Sequence, residues 1–189
     1  MKAFTVVELL IVIAIISVIT AIAVPNFMSA NIRAKVSGAK SEMGSIAITL
    51  EDYRIDNEGY PSQPEDSSLE PDEIATPDSP VSASTVAGLG KLIYPTTSDA
   101  TPVYLSKIPG DPFNNKGKED WNGTTGAHNH HYSYFTSGDQ YWALVSWGPD
   151  GDGNISDYDS AKDAVNNGTD LYNQDNGITS GGDIVIIGP

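Results

Sequence analysis

Residues 150–159 carry the densest group of oxygen-bearing side chains, in the order Asp-Gly-Asp-Gly-Asn-Ile-Ser-Asp-Tyr-Asp. Asp150, Asp152 and Asn154 have the 1, 3, 5 spacing of an EF-hand loop, and oxygen ligands at alternate positions of a glycine-rich turn can converge on one hard cation. A complete EF-hand is not expected, because Ala161 stands where that loop has a bidentate glutamate. The pattern therefore indicates either a cation site or a solvated acidic turn.

Other chemistry is weakly represented in the chain. His128, His130 and His131 could offer imidazoles to zinc or copper, but adjacent histidines on one loop cannot readily close a tetrahedral site. The sequence contains no cysteine, and we find no glycine-rich phosphate loop, nucleophile elbow or His-Glu-x-x-His motif. Enzyme activity is therefore not expected.

The charge is strongly acidic and unevenly distributed. The 189 residues hold 25 Asp and Glu against 10 Lys and Arg, for a formal net charge of -15. Residues 1–54 have five bases and four acids, whereas residues 55–189 have five bases and 21 acids. Because nucleic-acid affinity depends on Lys and Arg at the phosphates, nucleic acid is not an expected partner.

The N-terminal segment that precedes this acidic region is apolar. From Val6 to Val24, only Glu8, Ser17 and Thr20 are polar, and a helix of this length rises about 28 Å, close to the thickness of a hydrocarbon core. A secretory signal peptide is the alternative, but the helical pattern continues past Pro25. A carboxylate near the start of such a span costs several kcal/mol unless it is paired, protonated or at the headgroup level. Glu8 is therefore a candidate functional residue.

Past Pro25, apolar residues recur in steps of three and four, which predicts an amphipathic helix over residues 26–54. This apolar stripe comprises Met28, Ile32, Val36, Ala39, Met43, Ile46, Leu50 and Tyr53. Strand candidates follow at 132–136, 140–147 and 183–187, and a short helix at 85–94. The predicted fold class is α+β: a long N-terminal helix, transmembrane in its lower half and amphipathic in its upper half, packed on a small antiparallel sheet.

Residues 4–16, Phe-Thr-Val-Val-Glu-Leu-Leu-Ile-Val-Ile-Ala-Ile-Ile, followed by Ala-Ile-Ala-Val-Pro-Asn-Phe at 21–27, resemble the N-terminal motif of type IV pilins and pseudopilins. The resemblance implies that a prepilin peptidase cuts between Ala3 and Phe4 and that Phe4 is then N-methylated. It also implies that Glu8 faces the Phe4 ammonium of a neighbouring subunit. Ala3 departs from the family, which usually has glycine before the cut.

Head motifs resemble one branch of this family, the major pseudopilin of type II secretion (general secretion pathway protein G). They are Gly59-Tyr60-Pro61, Gly88-Leu89, Tyr104-Leu105, Asp111-Pro112-Phe113 and Ser146-Trp147-Gly148-Pro149-Asp150-Gly151. The chain departs from the branch in a long acidic loop at 62–85, an insert at 114–131 and an extended tail after Asp159.

The resemblance to this branch implies four parts: a leader at 1–3, a transmembrane helix at 4–24, an amphipathic helix at 25–57 and an acidic head at 58–189. It also implies one structural calcium ion in the C-terminal loop, held by backbone carbonyls and aspartates. The expected side-chain ligands are Asp150, Asp157 and Asp159, with Asp152 and Asn154 as alternatives.

The implied function is that of a subunit of a homo-oligomeric helical filament that polymerises in the periplasm to drive protein export. The subunit would be stored in the bacterial inner membrane as a single-pass protein with a periplasmic head, surrounded by lipid before assembly. Its partners would be the prepilin peptidase, the inner-membrane assembly platform and the minor pseudopilins. Two alternatives remain open. One is a major subunit of a type IV pilus, and the other is a membrane-anchored binding domain that never polymerises and has no use for Glu8.

Overall fold

The computed structural model describes residues 5–62, 88–93, 104–114, 131–138 and 140–189. Several sequence-based predictions concern residues outside these ranges. They are those for Ala3, Phe4, His128, His130, and most of the acidic loop and of the insert.

The dominant element is one α-helix, α1, which spans Val6–Asn57 and has 52 residues. It begins with a capping box in which Thr5 is the N-cap, and it ends at Glu58, whose φ of 60° is left-handed. The sequence predicts two helical parts that join at Pro25, and the structure shows them as a single uninterrupted helix with Pro25 inside it. The helix is therefore one rod, and only its surroundings change along its length.

The head contains a three-stranded antiparallel sheet in the order β1-β2-β3. The strands are β1 at Ser133–Ser137, β2 at Tyr141–Ser146 and β3 at Ile184–Ile187. In the central strand, Leu144 lies opposite Tyr134 of β1 and Ile186 of β3. The three predicted strands are confirmed, as is the α+β class with a long helix and a small antiparallel sheet.

The two faces of the sheet are buried by different helices. Trp142 and Leu144 of β2 belong to the core cluster that includes the buried stripe of α1. The residues between and after them along β2 belong to the cluster on the other face, because side chains alternate between the two faces of a strand. The buried residues of α1 are Val36, Ala39, Met43, Ile46, Thr49, Leu50 and Tyr53. The predicted apolar stripe is thus confirmed for the upper half of the helix.

The other face of the sheet packs against α2, a helix at Tyr158–Asn167 that the sequence analysis did not predict. Its Ala161 and Ala164 are buried with Ala143 and Val145 of β2. Part of the tail after Asp159 therefore folds as a helix on the head. Two short 3-10 helices, at Gly88–Leu92 and Gln174–Thr179, complete the described elements. The first lies inside the range predicted to hold a short helix.

Polar contacts add to the apolar packing between α1 and the head. Three carboxylates of α1 accept hydrogen bonds from tyrosine hydroxyls of the region after the helix; we call these the phenol–carboxylate pairs. With their O–O distances they are Tyr132–Glu42 (2.6 Å), Tyr60–Glu51 (2.7 Å) and Tyr104–Asp56 (2.8 Å). Burial and the bond to Glu42 raise the pKa of Tyr132, so its hydroxyl remains a donor.

Candidate assembly surface and cation site

The lower half of α1, residues 6–27, is exposed along its whole length. Its large apolar residues include Leu9, Leu10, Ile13, Ile16, Ile19 and Ile22, each at least half exposed. The apolar part of this helix is long enough to cross a membrane, and none of it is buried in the protein. Because such a surface is costly in water, it needs cover from lipid or from another protein. The lower half of α1 is thus the candidate assembly surface and fits a membrane anchor.

Glu8 lies in the first turn of this exposed surface. Its Oε2 accepts hydrogen bonds from the backbone N of Thr5 at 2.9 Å and from the Thr5 hydroxyl at 2.7 Å. The Thr5 hydroxyl in turn accepts from the backbone N of Glu8, which completes the capping box. The carboxylate is thereby held at the helix N-terminus.

Asp150 stands at the turn after β2, in residues 150–159, which we call the Asp-rich loop, and its carboxylate reaches the backbone just before β3. Its Oδ2 accepts a hydrogen bond from the backbone N of Gly182 at 2.9 Å. Gly148 and Gly182, both with positive φ, allow this approach, because a Cβ on Gly148 would collide with the carbonyl oxygen of Gly182. Asp152 and Asn154 follow on the exposed part of the same turn. The loop is thus tied to the start of β3.

The other two predicted ligands belong to α2. Asp157 is the N-cap of this helix: its Oδ1 accepts from the backbone N of Ser160 at 2.7 Å, in a second capping box. The bonds from Ser160 lower the pKa of Asp157. Asp159 lies in the first turn of α2 and is exposed. Both carboxylates therefore act with the helix dipole of α2, whether or not a cation is bound.

Asp183, which the sequence analysis did not single out, is the most unusual carboxylate of the head. It is fully buried, and its Oδ2 accepts from the backbone N atoms of Asn154 and Ile155, each at 2.9 Å. Its Oδ1 is buried without a hydrogen-bond partner among the described residues. Burial, with a smaller contribution from the negative charge of Asp150, raises the pKa of Asp183 to about 7.

A second buried carboxylate, Asp111, accepts hydrogen bonds on both of its oxygens. Its Oδ1 accepts from the backbone N of Phe113 and from the Ser146 hydroxyl, and its Oδ2 accepts from the backbone N of Trp147, all at 2.9 Å. Asp111 thus fixes the Asp-Pro-Phe turn to the end of β2. Asp183 is also buried, but its Oδ1 has no hydrogen-bond partner among the described residues, and a bound ion is one explanation for such an atom.

The described residues do not contain three His, Asp or Glu side chains grouped to hold a metal ion. Of the five predicted ligands, the structure brings Asp150 to the neighbourhood of Asp183, with Asp152 and Asn154 on the connecting turn. It places Asp157 and Asp159 on α2. The sequence signal for Asp183 is its place between Gly-Gly and a predicted apolar strand, which does not by itself indicate burial or a cation ligand.

The third histidine of the cluster is His131, which is half-buried. Its Nδ1 lies 3.1 Å from the carbonyl oxygen of Pro109, beside a single β-bridge between Gly110 and His131. This residue joins two segments of the head.

Comparisons with known proteins agree with this architecture. The chain is 31% identical over 118 residues to "Type II secretion system core protein G" of Pseudomonas aeruginosa, an alignment that covers 59% of the chain and 68% of the relative. It is 26% identical over 177 residues to the protein of the same name in Dickeya chrysanthemi, with 88% and 92% covered. "Type IV wide pilus major component PilA4" of Thermus thermophilus is 41% identical over 61 residues, or 32% of the chain and 47% of the relative.

No protein-family model matches the chain, and no solved structure matches it. The chain is 31% identical to the Pseudomonas relative over more than two thirds of that relative's length. The long apolar helix and the small antiparallel sheet are also the architecture that the resemblance implies. The chain belongs to the family of type II secretion system core protein G.

Proposed function

We propose that this protein is a structural subunit, the major pseudopilin, of a type II secretion filament that polymerises to drive protein export. The observation that carries the proposal is the contrast within α1, whose upper half is buried by the head while residues 6–27 are bare. Lipid covers that surface before assembly, and the same surfaces of other copies cover it afterwards. Two curated relatives named as type II secretion core proteins support this function.

In this proposal the leader at 1–3 is removed by a prepilin peptidase, between Ala3 and Phe4, and Phe4 becomes the methylated N-terminus. Glu8 then pairs with the Phe4 ammonium of a neighbouring subunit. An ion pair away from water is costly unless both charges are present, so it specifies one register of the helices. The capping box of Thr5 and Glu8 supports this role, because it holds the carboxylate at the helix end.

The head lies on the periplasmic side of the inner membrane, and the filament grows there from an assembly platform together with minor pseudopilins. No catalytic role is assigned to the protein. The experiment is to express the full chain in a host with type II secretion genes and a deletion of its own core protein G. Filaments seen by electron microscopy, with restored export, support the proposal. Export that stays blocked while the protein is present in the membrane contradicts it.

A type IV pilus subunit is the second candidate, and the Thermus pilus relative favours it. Immunolabelling of intact cells distinguishes the two, because a pilus is labelled at the surface of wild-type cells whereas a short periplasmic filament is not. Mass spectrometry of the purified protein tests processing in both cases, since a chain that starts at methylated Phe4 has lost residues 1–3.

We further propose that the Asp-rich loop, residues 150–159, holds one structural Ca²⁺ between Asp150 and Asp183, with Asp152, Asn154 and backbone carbonyls of the same turn as further oxygen donors. The bare Oδ1 of Asp183, fully buried beside a second carboxylate, supports this proposal. The residues fit a hard cation, because all the donors are oxygen. Asp157 and Asp159 have a separate role at the start of α2. The ion would neutralise two neighbouring negative charges and tie the turn after β2 to β3.

Calcium binding is tested on the full chain in detergent micelles. A ligand that binds only the folded state stabilises it by RT ln(1 + [L]/Kd), or about 2.7 kcal/mol at a hundred times Kd. Millimolar calcium should therefore raise the melting temperature of the wild type, and EDTA should reverse the change. Asp183→Asn should abolish this response, whereas Asp163→Asn, at an exposed position of α2, should keep it. An unchanged wild-type melting curve would show that the loop is only an acidic turn.

A further inference from the structure

A short basic segment of α1 stands between the membrane-spanning part and the acidic head. We define it as residues 33–40, which contain Arg33, Lys35 and Lys40. No acid occurs between Glu8 and Glu42, and no other stretch of the sequence has three bases between successive acids. The charge separation in this chain is therefore local, with a positive collar directly below a negative head.

Four of the five acids of α1, all but Asp52, have hydrogen-bond partners among the described residues, whereas the bases of the collar have none there. Three acids form the phenol–carboxylate pairs with the head, and Arg54 lies 3.7 Å from Glu51. Arg33, Lys35 and Lys40 are exposed, and within the described part of the chain none of them forms an ion pair. The collar is thus a group of exposed positive charges around the helix, with Arg33 and Lys40 on the same side, and none of them has an ion-pair partner among the described residues.

The head has the opposite charge in excess. Residues 58–189 contain 20 acids and five bases. In a filament such heads would approach one another to within a few ångströms, well inside the Debye length of about 8 Å at physiological ionic strength. Their mutual repulsion opposes assembly unless a positive surface lies between them. The collar is the positive surface that every subunit carries.

The position of the collar favours a protein partner over lipid headgroups. Along the helix axis, Arg33 is about 9 Å beyond Phe27 and Lys40 about 20 Å beyond it, at 1.5 Å per residue. The headgroup layer on one side of a bilayer is about 5 to 8 Å thick. Arg33 can therefore reach lipid phosphates, but Lys40 stands clear of them, at the level where the head begins to pack on Val36 and Ala39.

We propose that the basic collar of α1 is a docking surface for the acidic head of a second copy of this chain. The inference rests on the proposed filament function and extends it, because it assigns the contact to charges on the upper helix that are separate from the apolar surface and from Glu8. Attraction between collar and head fixes how far one subunit is displaced along the filament relative to the next.

The first experiment reverses charge in the collar of the full chain, in the host that assembles wild-type filaments. Arg33→Glu with Lys40→Glu should lower filament yield at least about tenfold, because like charges then face each other. The matched control is Lys107→Glu with Lys162→Glu, two exposed head lysines whose reversal changes the net charge equally. The control should assemble at nearly the wild-type yield. Equal yields from both double variants would overturn the proposal.

The second experiment identifies the contact directly. Filaments are assembled from a mixture of subunits grown on ¹⁴N and ¹⁵N, treated with a carbodiimide that joins an ammonium to an adjacent carboxylate, and digested for mass spectrometry. We expect heavy–light cross-links from Lys40 or Lys35 to peptides of the head. Cross-links of these lysines only within one subunit would overturn the inference. Loss of the charge-reversed collar variant from the membrane fraction would also overturn it, because that result would point to lipid binding. If the wild-type chain forms no filament, the proposed function itself is wrong.

Discussion

Residues 6–27 and residues 36–53 belong to the same helix, yet the head covers only the second range. Leu10 is 54% exposed in the first range, whereas Leu50 is fully buried in the second. The lower half is apolar on every side, and the upper half is apolar on one side only. Helical periodicity of the apolar residues therefore indicates that protein covers one side of the helix. A helix that is apolar on every side lacks this periodicity, which indicates that it is covered from all directions, as by lipid or by a bundle of identical helices.

The largest expected effect is on assembly, from the single acid of the lower half. Glu8→Leu makes the span more apolar and, in the proposed filament, removes the partner of the Phe4 ammonium. Leaving a buried charge unpaired costs about 3 to 5 kcal/mol, so filament yield should fall by at least about a hundredfold while the protein stays in the membrane. Ser17→Leu, which removes an uncharged polar group from the same span, is the control and should assemble normally. Wild-type yield from Glu8→Leu would show that the two halves differ only in hydropathy.

The comparison becomes quantitative with the same substitution in each half. Leu50→Ala should lower the free energy of unfolding of the head by about 2 to 5 kcal/mol, because it leaves a cavity between α1 and the sheet. Leu10→Ala should leave the unfolding of the head unchanged. Thermal denaturation of the full chain in detergent measures both. A comparable loss from Leu10→Ala would mean that the two halves unfold together.

A smaller loss is expected from the polar contacts of the upper half. Tyr132→Phe removes the hydroxyl that donates to Glu42 at 2.6 Å and leaves the ring in the core. Hydrogen bonds to charged groups contribute about 1.5 to 3 kcal/mol, so we expect a destabilisation of about 2 kcal/mol. Tyr141→Phe, at an exposed position of β2, is the control and should change stability by less than about 0.5 kcal/mol. Denaturant titration of both variants measures the difference.

The smallest effect distinguishes the two capping boxes. Asp157→Ala removes the N-cap of α2 and should cost about 1 kcal/mol of head stability, because α2 packs on the sheet. Thr5→Ala removes the N-cap of α1 but should not change the melting of the head, since the cap belongs to the bare lower half. Amide hydrogen exchange in α2 and at the start of α1 checks both expectations.

Much of this fold follows from local sequence pattern. Steps of three and four residues identified the side chains that α1 buries. Alternation identified β1 and β2, and a short apolar run identified β3, each to within about one residue. Pro25 suggested a boundary, but a proline removes only one hydrogen bond, and the helical residues 6–24 before it and 26–57 after it maintain the rod. Met28, at the lower end of the predicted stripe, is half exposed because the head does not extend that far.

The candidate cation site was predictable only in part, because its members come from distant segments. Asp150 stands out in a dense run of acids, whereas Asp183 acquires its meaning only when β3 pairs with β2 and brings it against Asn154 and Ile155. For Asp157 the sequence also carried a helix signal that was not used, since an acid three residues before Ser160 and a glycine at 168 mark the two ends of α2, and its prediction as a cation ligand stays a prediction.

Pro25 also has a mechanical consequence. It has no backbone N–H, so the carbonyl of Ala21 receives no amide from within the helix, and one rung of the hydrogen-bond ladder is missing near the upper end of the bare segment. Under tension along the rod, unwinding should start at this rung. Each residue that passes from helical to extended backbone lengthens the chain by about 1.8 Å, so a few residues around Pro25 would let the molecule stretch by a nanometre while the head stays folded.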